Sequence, residues 1–159
     1  LRPVNLTQIV EEVLSDLEIR IQQTQGMVRL NELPTIKADP LQMRQLLQNL
    51  IGNALKFHRQ NHPPVVEISS QTVERDSTSY CELTIKDNGI GFDKKYTDRI
   101  FQVFQRLHGR SEYEGTGIGL AICRKIIERH CGEITAISQL GSGTSFIVRL
   151  PTDLSEEMR

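Results

Sequence analysis

The sequence has no tryptophan, only three cysteines and no apolar run near the ~20 residues needed to span a membrane. Each shortage removes a class of protein. Cys81, Cys123 and Cys131 are odd in number and share no metal-ligand spacing, so neither a disulfide framework nor a zinc site is expected. They read as reduced thiols. With no apolar core near the N-terminus to serve as a signal peptide, the expected location is cytoplasmic, with no direct membrane insertion. The formal net charge is -1 and the basic residues are scattered, which excludes a nucleic-acid or anionic-membrane partner. What is present, 38% hydrophobic and 25% charged residues over 159 positions, suits one globular domain with a proper core. The opening Leu1-Arg2-Pro3, without an initiator methionine, suggests a piece of a longer protein.

Asn5 with Gln8 signals a helix start, and Leu6, Ile9, Val10, Val13, Leu14, Leu17 and Ile21 recur at helical spacing until Gly26. A short strand over Met27 to Asn31 follows. Asp39 as cap and Pro40 at the first position then predict a helix running to about His58, and His62-Pro63-Pro64 stops it before a strand from Val65 to about Val73. Tyr80 to Asp87 alternates, with Cys81, Leu83 and Ile85 on one face and Asp87 in register with them. A carboxylate at the end of a buried face costs several kcal/mol without a donor partner, so Asp87 marks a turn cap or a ligand site. From Phe92 to Glu114 hydrophobicity thins around Phe101 and Phe104, and a connection of about 22 residues is long enough to be functional. Gly115-Thr116-Gly117-Ile118-Gly119-Leu120 opens a helix that stops at Gly132, and Ile134 to Gln139 and Thr144 to Leu150 are closing strands joined through Gly141 and Gly143. The polar residues after Pro151 are expected to fray.

Two stretches carry chemistry. In Gln48 to Phe57, at about 100° per residue, Asn49, Gly52, Asn53 and Lys56 share an arc opposite an apolar stripe of Met43, Leu46, Leu47, Leu50, Ala54 and Phe57. Two mid-helix amides and a lysine suit an anion with a cation attached: an amide oxygen ligates hard Mg²⁺, an ammonium meets phosphate, and Gly52 admits a ligand to the helix backbone. Second, a glycine-rich turn entering a helix offers free N–H groups and the positive end of the helix dipole to phosphate. The Gly115 to Leu120 segment fits that mechanism, but neither the Rossmann nor the P-loop pattern.

Taken together, Asn49-x3-Asn53-x2-Lys56-Phe57, Asp87-x-Gly89-x-Gly91, Phe101-x2-Phe104, Gly115-x-Gly117-x-Gly119-Leu120 and Gly141-x-Gly143-Thr144 resemble the ATP-binding catalytic domain of two-component sensor histidine kinases. The runs Phe104 to His108 and Gly115 to Ile122 look most like phytochrome-type and PAS-linked members. The resemblance implies the Bergerat fold, an α/β sandwich of a mixed sheet on one layer of helices with a long ATP lid. It implies a catalytic domain over residues 1–151, a lid over about 92–115 and a tail over 152–159. It further implies Mg²⁺ on Asn53, Asn49 and Lys56 near the phosphates, Phe57 beside adenine and Asp87 accepting from the adenine 6-amino group. Gly89 and Gly91 would admit the base, Arg106 would reach the phosphates from the lid, Gly115, Gly117 and Gly119 with Leu120 would form the phosphate turn, and Thr144 would lie near the base. Asn49, Lys56 and Arg106 are the expected catalytic set, with ATP and Mg²⁺ as cofactors. The family's usual Gly-Gly is Cys131-Gly132 here, and Gly132 alone is expected to supply the left-handed residue that ends the helix.

The acceptor histidine of that family lies on a separate helical hairpin and is followed by Asp or Glu. His58, His62, His108 and His130 precede Arg, Pro, Gly and Cys, so all four read as helix-end or lid side chains. The expected partners are therefore the kinase's own phosphoacceptor hairpin, through which it would form a homodimer, and a cognate response regulator. Rival readings are a gyrase- or chaperone-type ATPase, a catalytically inactive nucleotide-binding module, and an anti-sigma-type serine kinase. The water-activating glutamate of the ATPases corresponds to Asn49, and an amide takes no proton at neutral pH.

Overall fold

A computed structural model describes residues 1–93, 100 and 119–153. Arg2–Asn5 forms strand β1, after which Asn5 caps helix α1, Leu6–Asp16, by accepting from the Gln8 amide at 3.2 Å. The apolar periodicity that predicts one helix to Gly26 is interrupted. Leu17, at φ -97° and ψ 7°, leaves the helical region, and a separate helix α2 spans Glu18–Thr24. Strand β2, Met27–Leu30, precedes a four-residue strand β3, Thr35–Ala38, which pairs antiparallel with β1. Asp39 then caps α3, Pro40–Lys56, accepting from the Leu41 and Gln42 amides at 3.0 and 3.1 Å.

Val65–Arg75 (β4) and Thr78–Asp87 (β5) make a hairpin whose turn residues, Asp76 and Ser77, both have positive φ, as a type I′ turn requires. Helix α4, Gly119–Arg129, and strands β6, Glu133–Gln139, and β7, Gly143–Pro151, complete the described chain. The five-stranded sheet has the order β2-β4-β5-β7-β6, with β2 parallel to β4 and every other pair antiparallel. This is the mixed sheet of the expected α/β sandwich.

Side chains alternate along each strand, so every second residue points to one face. Ile68, Ile85, Phe146 and Ala136 align across four strands in one row, and Leu83 and Val148 continue the next. Helices α1, α3 and α4 cover that face with Val10, Val13, Leu46, Leu47, Leu50, Ile126 and Ile127, all in one buried cluster. The C-terminal strand is tied at its end, because Thr152 donates to Ser79 O at 3.0 Å and accepts from the Lys37 amide at 2.9 Å. Thr152 and Asp153 thus belong to the fold, and fraying cannot begin at Pro151. Most of the expected lid, including Phe101 and Phe104, lies outside the described residues, as do residues 154–159. Phe92 and Ile100, at its edge, are buried.

Helix α4 ends differently from expectation. The left-handed residue is Cys131, at φ 57°, and not Gly132. Gly132 N bonds Ile127 O at 2.9 Å and Cys131 N bonds Glu128 O at 3.0 Å, a Schellman ending. Gly132 is needed for space, since a Cβ there would lie 2.1 Å from Arg149 O. A non-glycine residue in the left-handed region costs roughly 1 kcal/mol. Cys131→Gly should therefore stabilise the domain by about that amount, read as a higher urea midpoint, whereas Gly132→Ala should destabilise it by at least about 2 kcal/mol.

Candidate functional site

The apolar sheet face ends in a polar row. Val66 pairs with Asp87 and Ser138 with Thr144, and the Thr144 amide joins the two halves by donating to Asp87 Oδ1 at 3.2 Å. The Gly89 amide donates to the same oxygen at 2.8 Å. Asp87 Oδ2 accepts no hydrogen bond among the described residues. Burial pushes the Asp87 carboxyl up to about 6, against the pull of its two amide donors. Beside it, the buried hydroxyls of Ser138 and Thr144 are 2.8 Å apart. Ser138 Oγ accepts from the Phe92 amide at 2.8 Å and donates to Gly143 O at 3.1 Å. With its one proton so placed, Ser138 takes the proton of Thr144, and the Thr144 oxygen is left as an acceptor.

The second wall is the polar arc of α3, where Asn49, Asn53, Lys56 and Phe57 are all half-buried. Asn53's side chain makes no hydrogen bond among the described residues, so its oxygen is free to meet a hard cation. Lys56 Nζ sits 5.3 Å from the Phe57 ring centroid. Asn49 turns toward the start of α4, with its Oδ1 3.6 Å from where a Cβ on Gly119 would lie. One turn further along α4, the buried Cys123 thiol donates to Leu46 O of α3 at 3.9 Å, and burial pushes that thiol up to about 12. Leu120 is half-buried against the core. The two walls are joined at the end of α3, where Phe57 O accepts from the Ile90 amide at 3.0 Å.

Three glycine positions acquire reasons that the sequence alone does not supply. A Cβ on Gly89 would sit 2.3 Å from Phe57 O, so the small residue admits the chain's own backbone. Gly143, at φ 96°, would place a Cβ 2.1 Å from Asp87 O, so the closing turn rests on the carbonyl of the carboxylate's own residue. Gly52 is buried under the Arg20 guanidinium, whose Nη1 lies 3.8 Å from the position of a Cβ. The expected ligand approach to its backbone is therefore blocked from that side by α2.

Asn88 and Ser138 were not legible as site residues. The Asn88 side chain accepts from the Val65 amide at 2.9 Å and donates to Pro63 O at 3.3 Å, bracing the loop behind Asp87. Strand alternation from Ala136 would have placed Ser138 inward, beside Thr144. Arg106, Gly115 and Gly117 lie outside the described residues, as does His108. His58 and His62 bond backbone carbonyls near the end of α3, and buried His130 spans Ile126 O and the Asp39 amide. Among the described residues no group of His, Cys, Asp and Glu is placed to hold a metal.

Residues 38–154 match the family model described as histidine kinase-, DNA gyrase B-, and HSP90-like ATPase. The chain is 44% identical over 150 residues to cyanobacterial phytochrome A of Nostoc sp. (strain PCC 7120 / SAG 25.82 / UTEX 2576), covering 94% of this chain and 19% of that protein. It is 34% identical over 153 residues to the adaptive-response sensory kinase SasA of Synechococcus elongatus (strain ATCC 33912 / PCC 7942 / FACHB-805), covering 94% and 38%. The solved catalytic domain of histidine kinase ThkA superposes with a TM-score of 0.78 at 27% identity, over 99% of this chain and 97% of that one. Full-length ShkA, solved in complex with AMPPNP, gives 0.79 at 26%, over 98% and 32%. The chain belongs to the histidine kinase-, DNA gyrase B- and HSP90-like ATPase family. Within it, the chain stands with the catalytic domains of sensor histidine kinases, and it spans about one fifth of the length of the phytochrome relatives it matches.

The Asp87 carboxyl has a folded-state pKa above its ordinary 3.8, so the folded chain holds that proton more tightly than the unfolded chain. Ionised Asp87 then opposes folding by up to about 3 kcal/mol at neutral pH, a cost relieved as pH falls through 6 toward 3.8. Asp87→Asn should raise the stability of the nucleotide-free domain at pH 7 by about 1–3 kcal/mol in urea unfolding. The gap to the parent should narrow at pH 5.

Proposed function

We propose that this chain, residues 1–151 above all, is the nucleotide half of a protein histidine kinase. It binds Mg-ATP and presents the γ-phosphate to a histidine on a separate phosphoacceptor and dimerisation hairpin, in a cytoplasmic pathway that ends on a response regulator. The observation that carries this reading is Asp87, a half-buried carboxylate held in place by two backbone amides on one oxygen, with its second oxygen unused among the described residues. Such a group asks for a fixed donor, and the adenine 6-amino group is one. Thr144, with its oxygen left as an acceptor, stands beside it.

The triphosphate would then lie along α3, with Lys56 meeting phosphate oxygens and the N-terminal amides of α4 behind Gly119 facing the same charge. Asn53 would hold Mg²⁺, which supplies charge neutralisation for the phosphates when bound. Asn49 stands where a hydrolytic relative has a glutamate, and its amide, set against Gly119, accepts no proton from water. Positioning without a base favours transfer to an incoming imidazole over hydrolysis. That the similar kinase ShkA was solved in complex with AMPPNP supports a nucleotide ligand for this chain.

Guanine presents a carbonyl where adenine presents its amino group, so the Asp87 carboxylate would face an oxygen. GTP should bind about 100-fold more weakly than ATP, and equal calorimetric affinities would refute the adenine role. Isolated residues 1–159 should bind Mg-ATP, hydrolyse it very slowly and acquire no acid-labile phosphate. Adding the hairpin of the same kinase as a separate polypeptide should yield phosphohistidine on the hairpin, and Asn53→Ala should abolish it. Brisk hydrolysis by the chain alone, unaltered by the hairpin, would sink the kinase reading.

A further inference from the structure

The break between α1 and α2 has a chemical consequence. Asp16 and Arg20 are four residues apart, the spacing at which an acid and a base pair along a continuous helix. Here Asp16 instead pairs with Arg44 of α3 at 2.6 Å, and Arg44 also takes Glu12 at 3.0 Å. Both nearby α1 carboxylates are thereby consumed. Leu17 leaves the helical region between them, and α2 carries the Arg20 side chain over α3. Its Nη1 comes to 3.8 Å from the Cβ position of Gly52, and no ion pair or side-chain hydrogen bond holds the guanidinium among the described residues.

Gly52 sits in the middle of α3, where glycine costs about 1 kcal/mol relative to alanine. Space does not demand it, because 3.8 Å is an ordinary contact distance for a Cβ. Residues three and four apart on a helix are surface neighbours, so Gly52 adjoins both Asn49 and Lys56, with Asn53 next in sequence. A guanidinium laid on Gly52 thus stands beside the amides and the lysine of the polar arc. Two cations beside one helix face, with Glu12 and Asp16 of α1 paired to Arg44, make a place for a polyanion.

We infer that Arg20 is a further nucleotide-binding residue, a cation that α2 supplies over Gly52 to the phosphate end of ATP. The inference rests on the ATP reading above and adds to it a residue from outside every glycine-rich motif. Arg20 touches phosphate and not the base, so its removal should separate the two. Calorimetry on residues 1–159 with Mg-ATP and with adenosine tests this. Arg20→Ala should weaken Mg-ATP about tenfold while leaving adenosine unchanged, and Arg20→Lys should recover part of the loss. Adenosine affinity also reports that the variant is folded. If Arg20→Ala binds Mg-ATP as the parent does, or loses both ligands equally, the role assigned to Arg20 is wrong and the ATP reading stands. If the parent itself fails to bind Mg-ATP, both fall together.

Discussion

The site is organised around one half-buried charge. Asp87 closes an otherwise apolar sheet face, and its carboxylate is satisfied on one oxygen only, by the amides of Gly89 and Thr144. Those two donors come from the loop that follows β5 and from the start of β7. Holding the charge therefore fixes that loop and the turn entering β7 relative to the sheet. Gly143 packs on the carbonyl of the same residue and Gly89 on that of Phe57, so the loops have little freedom to move apart. A neutral side chain would relax the energetic penalty, but it would also remove the only formal charge in that row of the sheet. A charge held at such a cost is consistent with the binding role proposed for Asp87.

The same clamp positions α3. Its C-terminus is held by the Ile90 amide on Phe57 O and its N-terminus by the cap of Asp39, whose own amide is bonded by His130 at the end of α4. A helix pinned at both ends and buried along one side presents its remaining face in a fixed orientation. Asn49, Asn53 and Lys56 thus face the polar end of the sheet without needing contacts to one another. Behind that face the Cys123 thiol of α4, kept protonated by burial, donates to Leu46 O at 3.9 Å and ties α4 to α3.

Much of this was legible before any coordinates. Alternation in Tyr80 to Asp87 placed the carboxylate inward, and the helical arc from Asn49 to Lys56 gathered the polar set. Both readings depend only on period, which local sequence specifies well. What escaped depends on partners distant in the chain. Strands β1 and β3 are four residues each, too short for a period to show, and exist because they pair with each other. The left-handed conformation of Cys131 is imposed by the ending of α4 against Arg149, a tertiary demand that overrides the preference for glycine. The break at Leu17 falls inside an unbroken apolar pattern, so nothing in the hydrophobic spacing announces it.

That break explains how charge is distributed around α3. On one flank, Arg44 gathers Glu12 and Asp16 of α1, and these exposed pairs contribute little to stability individually. Their larger effect is to withdraw negative charge from the neighbourhood of the polar arc. On the other flank, α4 begins at Gly119 with no acidic residue in its first turn. On the proposed reading, an anion approaching α3 would meet Lys56, Arg20 and a helix N-terminus, with Glu12 and Asp16 of α1 paired to Arg44. Among the described residues, the Asp87 carboxylate lies at the opposite end, beyond Phe57. Separating a positive end from a negative end along one helix suits a ligand that carries a hydrogen-bond donor at one extremity and several negative charges at the other.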